Sequence, residues 1–258
     1  VNNTHSIKKI GFYDSGLGGL FVMSKLYKEF PNYDYVFLAD EKNLPYGEKE
    51  YKDLYSLASK SISFLIEKEK CDIVVVACNT LSSTVFPELE KEFKEKFKDV
   101  LLIDVVSPTV DSLKIDSNYT VFGTPRTILS HVYKKEIQNI FKDKNVCEVE
   151  TRELASLIEK KENVLSYLES IKKNVDVKSD VCILGCTHYG LVLDDFKKVF
   201  PQFKEFVIQD TVVLDLFRFM LHKEDRIGEV VIYTTKKTEV FDEFSKSWFS
   251  MESEEVEI

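Results

Sequence analysis

Two segments of this chain are near copies of one another. Residues 70–83 read KCDIVVVACNTLSS and residues 178–190 read KSDVCILGCTHYG. Each opens with Lys-x-Asp, continues as an apolar run, and ends in a small residue, a cysteine and two polar side chains. The endings are Ala77-Cys78-Asn79-Thr80 and Gly185-Cys186-Thr187-His188. A short apolar run without alternation suits a strand buried on both faces, the kind found in parallel sheets covered by helices. The chain must therefore accommodate two equivalent strand ends, each carrying one thiol.

The surrounding pattern alternates short apolar runs with amphipathic stretches. Strands are expected at 10–13, 35–39, 73–77 and 101–106, and helices at 19–30, 51–69 and 84–98. Leu54, Leu57, Ala58, Ile62, Leu65 and Ile66 share one side of the second helix, and Phe86, Leu89, Phe93 and Phe97 recur at helical spacing in the third. We read those phenylalanines as core. The cycle restarts with a strand at 119–122, a helix entered through GTPRTILSHVY, and a helix at 153–172. A strand at 181–184, a helix at 191–199 and a strand at 206–208 follow. The order βαβα predicts parallel sheets flanked by helices. IGFYDS is loosely matched by TVFGTP, which puts Asp14 and Thr124 in similar places. The repeat is too long for a solenoid. The expected fold class is α/β: two similar lobes, each a mainly parallel sheet, with the active site in the cleft between them. Residues 1–104 form the first lobe and 105–210 the second. Residues 211–258, with a strand at 230–234, return to the first. The acidic ending ESEEVEI is expected to fray.

Bulk properties narrow the partners. The 258 residues carry a formal charge of -9, which argues against a nucleic-acid-binding face. No apolar run is long enough for a membrane span, and VNNTHSIKKI lacks the apolar core of a secretory signal. The five cysteines include no Cys-x-x-Cys pair, so a reducing cytoplasm is expected rather than a disulfide framework.

In open α/β sheets, ligands bind outside the carboxyl ends of the strands. The side chains expected there belong to Asp14-Ser15, Tyr46-Gly47, Cys78-Asn79-Thr80, Thr124 and Cys186-Thr187-His188. Facing lobes would bring one thiol to each side of a bound molecule. One thiolate would take a proton from a carbon while the other thiol delivers a proton to the opposite face, inverting a stereocentre. Cysteine suits this because its ordinary pKa of about 8.5 falls toward neutrality near positive charge or helix N-termini. Asn79, Thr80 and Thr187 add donors for a carboxylate. His188, beside Cys186, and Asp14 are placed to assist proton transfer, and Asp14 also to complement an ammonium group.

Cys71, Cys147 and Cys182 lie outside the polar turns and are read as structural. His5, His131 and His222 are read as surface or helix residues. DSGLGG (14–19) matches neither phosphate-loop pattern. Cys78, Cys186, His188 and Asp14 are the right types for zinc, but Cys-x-His is a tight spacing and no second cluster supports it. We assign no metal.

IGFYDSGLGGL, ADEKNLPYGEK, VVVACNTLSS, VFGTPRTILSHVY and ILGCTHYGLV, in this order, resemble the motifs of the glutamate racemases within the aspartate/glutamate racemase group. The resemblance covers residues 10 to 193 and continues weakly through VIQDTVV. It implies cofactor-independent interconversion of L- and D-glutamate in an interlobe cleft, supply of D-glutamate for peptidoglycan, and a homodimer. By this resemblance Cys78 exchanges the proton of D-glutamate and Cys186 that of L-glutamate, each assisted by Asp14 or His188. Ser15, Tyr46, Gly47, Asn79, Thr80, Thr124, Thr187 and His188 hold the small-molecule substrate. Aspartate racemisation by the same chemistry is an alternative, because one methylene is a matter of pocket shape. A non-catalytic binding or regulatory protein for a dicarboxylic amino acid is another. The chain departs from the family at Thr151-Arg152, often Cys-Pro, at Ser107-Pro108, commonly Glu-Pro, and at Tyr189-Gly190, usually Tyr-Pro. The last change is expected to loosen the turn after Cys186.

Overall fold

The computed structural model describes residues 7–113 and 117–258. His5 lies outside the described residues. In chain order the elements begin β1 (Lys9–Asp14), α1 (Leu17–Glu29), β2 (Asp34–Ala39), α2 (Tyr51–Ser63), β3 (Ile73–Val76), α3 (Asn79–Ser82), α4 (Phe86–Lys96), β4 (Leu101–Ile103) and α5 (Val106–Asp111). A second series runs β5 (Tyr119–Gly123), α6 (Pro125–Ser130), α7 (Val132–Ile140), β6 (Val146–Glu150), α8 (Leu154–Glu159), α9 (Leu165–Ile171), β7 (Val181–Gly185), α10 (Leu193–Val199) and β8 (Glu205–Val207). The chain ends with α11 (Gln209–Met220), β9 (Val230–Thr234), α12 (Glu239–Phe249) and β10 (Glu254–Glu255). No helix among the described residues is long and apolar enough to cross a membrane.

The strands form two sheets, ordered β10-β9-β2-β1-β3-β4 and β6-β5-β7-β8, and every pairing is parallel. The path β2-β1-β3-β4 matches β6-β5-β7-β8, so the resemblance between the two cysteine segments extends to topology. In each sheet the chain starts in the middle, moves to one neighbour and crosses to the other. That leaves a switch point between β1 and β3 and another between β5 and β7, where open α/β sheets bind ligands.

Period-two alternation explains why both faces are apolar. In β3, Ile73 and Val75 join the core beneath α1 and α11, while Val74 and Val76 join the core beneath α2 and α4. In β7, Val181 and Ile183 take one side and Cys182 and Leu184 the other. Cys182 is therefore a core side chain, and Cys71 is buried as well.

Several expected boundaries differ. The strand at 101–106 stops at Ile103 because Asp104 Oδ2 accepts the Val106 and Ser107 N–H groups, each at 2.9 Å, and starts α5. The helix expected over 51–69 passes from α2 into a π turn at Phe64–Lys68. The helix after Thr124 breaks at His131, whose left-handed φ of 54° separates α6 from α7. That over 153–172 divides into α8 and α9, with Lys161 at φ 56° between them. The acidic end does not fray as expected. Glu254 and Glu255 pair with Tyr233 and Thr234, and Val256 packs on the core beside them. β6, α11 and α12 lie where the apolar pattern predicts no strand or helix.

Candidate active site

Every side chain assigned to the site from the sequence lines one cavity of about 600 Å³. Asp14, Ser15, Tyr46, Gly47, Cys78, Asn79 and Thr80 come from one side, and Thr124, Cys186, Thr187 and His188 from the other. A larger hollow of about 820 Å³, between Asp104 and Arg218, contains none of them. The thiols reach the cavity because each follows the last residues of a strand next to a switch point.

Asp14 ends β1 and is buried. Its Oδ1 accepts the Ser15 N–H at 2.7 Å and its Oδ2 the Thr187 hydroxyl at 2.8 Å. Burial raises its pKa, opposed by the His188 charge and these hydrogen bonds. The glycines of DSGLGG explain how the seam closes. A Cβ on Gly18 would sit 2.6 Å from the His188 backbone nitrogen and 2.8 Å from its Nδ1, so only glycine lets the Cys186 turn press against the start of α1. The motif is built for close approach.

Cys78 is 5% exposed, with its Sγ 3.9 Å from Ser15 Oγ. Burial raises the thiol pKa, and the charges of Asp14 and Cys186 raise it further. The start of α3 gives the expected help, since the Leu81 N–H favours the thiolate, but it is outweighed. α3 has only the residues Asn79–Ser82 to sum peptide dipoles against desolvation. Cys186 is 7% exposed and leads into a 3-10 turn, Thr187–Val192, with its Sγ 3.6 Å from His188 Nδ1.

Five further residues, Glu159, Tyr133, Gln209, Tyr13 and Asp40, support this set. Glu159, at the end of α8, hydrogen-bonds His188 Nε2 and accepts the Leu17 N–H at 2.9 Å. Burial pulls the His188 pKa down, but the Glu159 charge and the contact with Cys186 outweigh it and hold the imidazole well above its ordinary value. Tyr133 on α7 donates to Asn79 Oδ1 at 2.5 Å and accepts from Gln209 Nε2 at 3.3 Å. Asn79 Nδ2 is buried beside the cavity without a partner, a donor available to a ligand oxygen. Tyr13 shares a hydrogen bond of 2.6 Å with Tyr46, which donates to Asp40 at 2.5 Å. None of these partners was singled out from the sequence, because each meets the site from a different element. Thr80 and Thr124 link the two sides through hydroxyls 2.9 Å apart, and Thr124 is 3.1 Å from Thr127.

The turn after Cys186 is not loosened by Gly190. Tyr189 is fully buried, its N–H reaches Cys186 O at 3.1 Å, and its hydroxyl bonds to Thr151. Thr151 in turn donates to Gly123 O at 2.9 Å, anchoring the turn to β5. His131 lies 2.6 Å from Glu148 on the surface, His222 follows α11, and Cys147 is half-buried on β6, all away from the cavity. No group of three His, Cys, Asp or Glu side chains among the described residues is arranged to hold a metal ion.

No family model matches the chain. A glutamate racemase of Lactobacillus helveticus is 32% identical over 251 residues, covering 93% of this chain and 92% of that protein. A glutamate racemase of Fusobacterium nucleatum is 30% identical over 261 residues, covering 96% of each. Among solved structures, the glutamate racemase of Francisella tularensis in complex with D-glutamate aligns with a TM-score of 0.82 at 25% identity over 97% of both chains. That of Aquifex pyrophilus aligns with a TM-score of 0.77 at 26% identity over 96% of this chain and 97% of the other. An aspartate racemase of Picrophilus torridus shares the fold, with a TM-score of 0.57 over 82% of this chain and 94% of the other. On identity at this level over nearly the whole length, the chain belongs to the glutamate racemase family.

Proposed function

We propose that this protein interconverts L- and D-glutamate without a cofactor, by proton transfer between the substrate Cα and two thiols. Cys78 exchanges the proton of the D isomer and Cys186 that of the L isomer. In either direction one sulfur acts as thiolate base while the other donates from the opposite face, and each turnover leaves their protonation states exchanged. The observation that carries this reading is that both cysteines line one cavity from topologically equivalent strand ends.

Asp14 and His188 stand beside Cys78 and Cys186 respectively and assist them. Burial favours the neutral Cys78 thiol. An arriving substrate ammonium would shift that balance toward thiolate, since a nearby opposite charge favours the ionised form. Ser15, Tyr46, Gly47, Asn79, Thr80, Thr124, Thr187 and His188 hold the carboxylates and the amine, with the unpartnered Asn79 amide as one donor. The lobes of this reading are 1–104 with 211–258, and 105–210. Membership of β9 and β10 in the first sheet supports that division. The product D-glutamate would feed peptidoglycan synthesis. The free thiols suit a cytoplasmic setting, and the homodimer implied by the resemblance belongs to the same proposal.

The test is isotope exchange. The protein is incubated with D-glutamate in heavy water without added cofactor, and deuterium at Cα and the appearance of L-glutamate are followed. Exchange with inversion is expected. Binding without exchange would leave a silent binding module, and exchange with aspartate in place of glutamate would move the assignment to that substrate.

A further inference from the structure

Arg152 and Glu48 meet across the mouth of the cavity, with Arg152 Nη1 2.9 Å from Glu48 Oε1. Arg152 Nη2 also lies 3.0 Å from Glu150 Oε1. Arg152 follows β6, whereas Glu48 belongs to the loop after β2, so the pair spans the two sheets' territories. Both side chains are about half exposed, at 53% and 50%. Exposed ion pairs of this kind are weak and screened by salt, so one carboxylate is readily exchanged for another.

The charges around them make that exchange useful. Asp14, Glu48, Glu153 and Glu159 line the cavity, and the permanent cations among the described lining residues are Arg152 and Lys160. The chain as a whole carries -9. A dicarboxylic amino acid, with two carboxylates and one ammonium, is itself an anion and approaches against this field. A guanidinium at the entrance presents a fork of donors matched to a carboxylate. Where the resembling sequences often have proline, this chain has Arg152.

We infer that Arg152 recruits the anionic substrate at the cavity mouth, releasing Glu48 to take a carboxylate of the incoming amino acid. Glu48 and substrate compete for one cation. The inference rests on the proposed function and adds to it a residue that governs entry and selection for negative charge.

The competition predicts opposite effects for two conservative substitutions, R152Q and E48Q. We would measure kcat/KM with D-glutamate for wild type and both variants at low and high ionic strength. R152Q should lower kcat/KM about tenfold at low salt, and high salt should close most of that gap, because steering is an ionic-strength-dependent effect. E48Q should raise kcat/KM at low salt by freeing Arg152 Nη1, the guanidinium staying on Glu150, and by removing a negative charge. If the pair serves only to tie the lobes together, both variants change in the same direction, since each breaks the same contact. That result, or a salt-independent loss in R152Q, overturns the inference. Should the wild type exchange no Cα proton, the functional reading falls. The inference is then decided by calorimetric Kd values for D-glutamate in the same three proteins. Opposite shifts support it, and shifts of one sign or no binding overturn it.

Discussion

Thr187 Oγ1 donates to Asp14 Oδ2 at 2.8 Å, although the two residues are 173 positions apart. The bond joins the carboxylate at the end of β1 to the hydroxyl beside the second thiol, and it lies on the seam where the ends of the two sheets meet. The surrounding contacts leave little freedom there, and several consequences can be measured.

Gly18→Ala should be severely damaging. The added methyl would meet the His188 backbone nitrogen, which cannot move without shifting the turn that carries Cys186. Overpacking of this kind costs about 1–3 kcal/mol. Urea unfolding should show that loss, and racemisation should fall further than stability alone explains. A variant with wild-type turnover would mean that the seam is not closed during catalysis.

Replacing Cys78 or Cys186 by Ser should reduce racemisation by several orders of magnitude, because an alkoxide is far less accessible than a thiolate. Deuterium exchange with each isomer in each variant is the informative measurement. Near-normal turnover in either variant rules out the two-thiol scheme.

Glu159→Gln should change the pH dependence. Glu159 is the main partner holding His188 protonated, so its neutralisation lowers the His188 pKa. The folded His188 pKa lies above its unfolded value of about 6.5, so its contribution to stability is fully present below that pH. It is lost as pH rises through the folded value. Urea midpoints measured across this range should fall with pH less steeply for Glu159→Gln than for wild type. The alkaline limb of kcat/KM should move to lower pH. Unchanged profiles would show that the pair does not control His188.

Tyr133→Phe removes the donor to Asn79 Oδ1 and leaves that buried oxygen unpartnered. A buried unsatisfied group costs about 1–3 kcal/mol. Denaturant unfolding should register this, and KM for glutamate should rise because the Asn79 amide is no longer held in one orientation. If KM is unchanged while stability falls, Tyr133 supports the fold and not the substrate.

The central strands of both sheets were legible because burial on two faces produces an uninterrupted apolar run, as in Ile73–Val76 and Val181–Gly185. β6 was harder to see. It is an edge strand, and its Glu148 and Glu150 interrupt the apolar signal. The long helices were over-extended at His131 and Lys161, where a left-handed residue breaks the path without a glycine to announce it. Asp104, which ends β4 early, acts through a local cap that an apolar count does not weigh.

By itself the sequence determined the two-fold repeat, the polar turns at the strand ends and the family, since these depend on residues adjacent along the chain. Only the tertiary structure decided that Glu159 would meet His188, that Tyr133 would hold Asn79 and that Arg152 would face Glu48. Each of those pairs is assembled by packing between elements far apart in sequence, and no local periodicity encodes which surface polar side chain will find which partner.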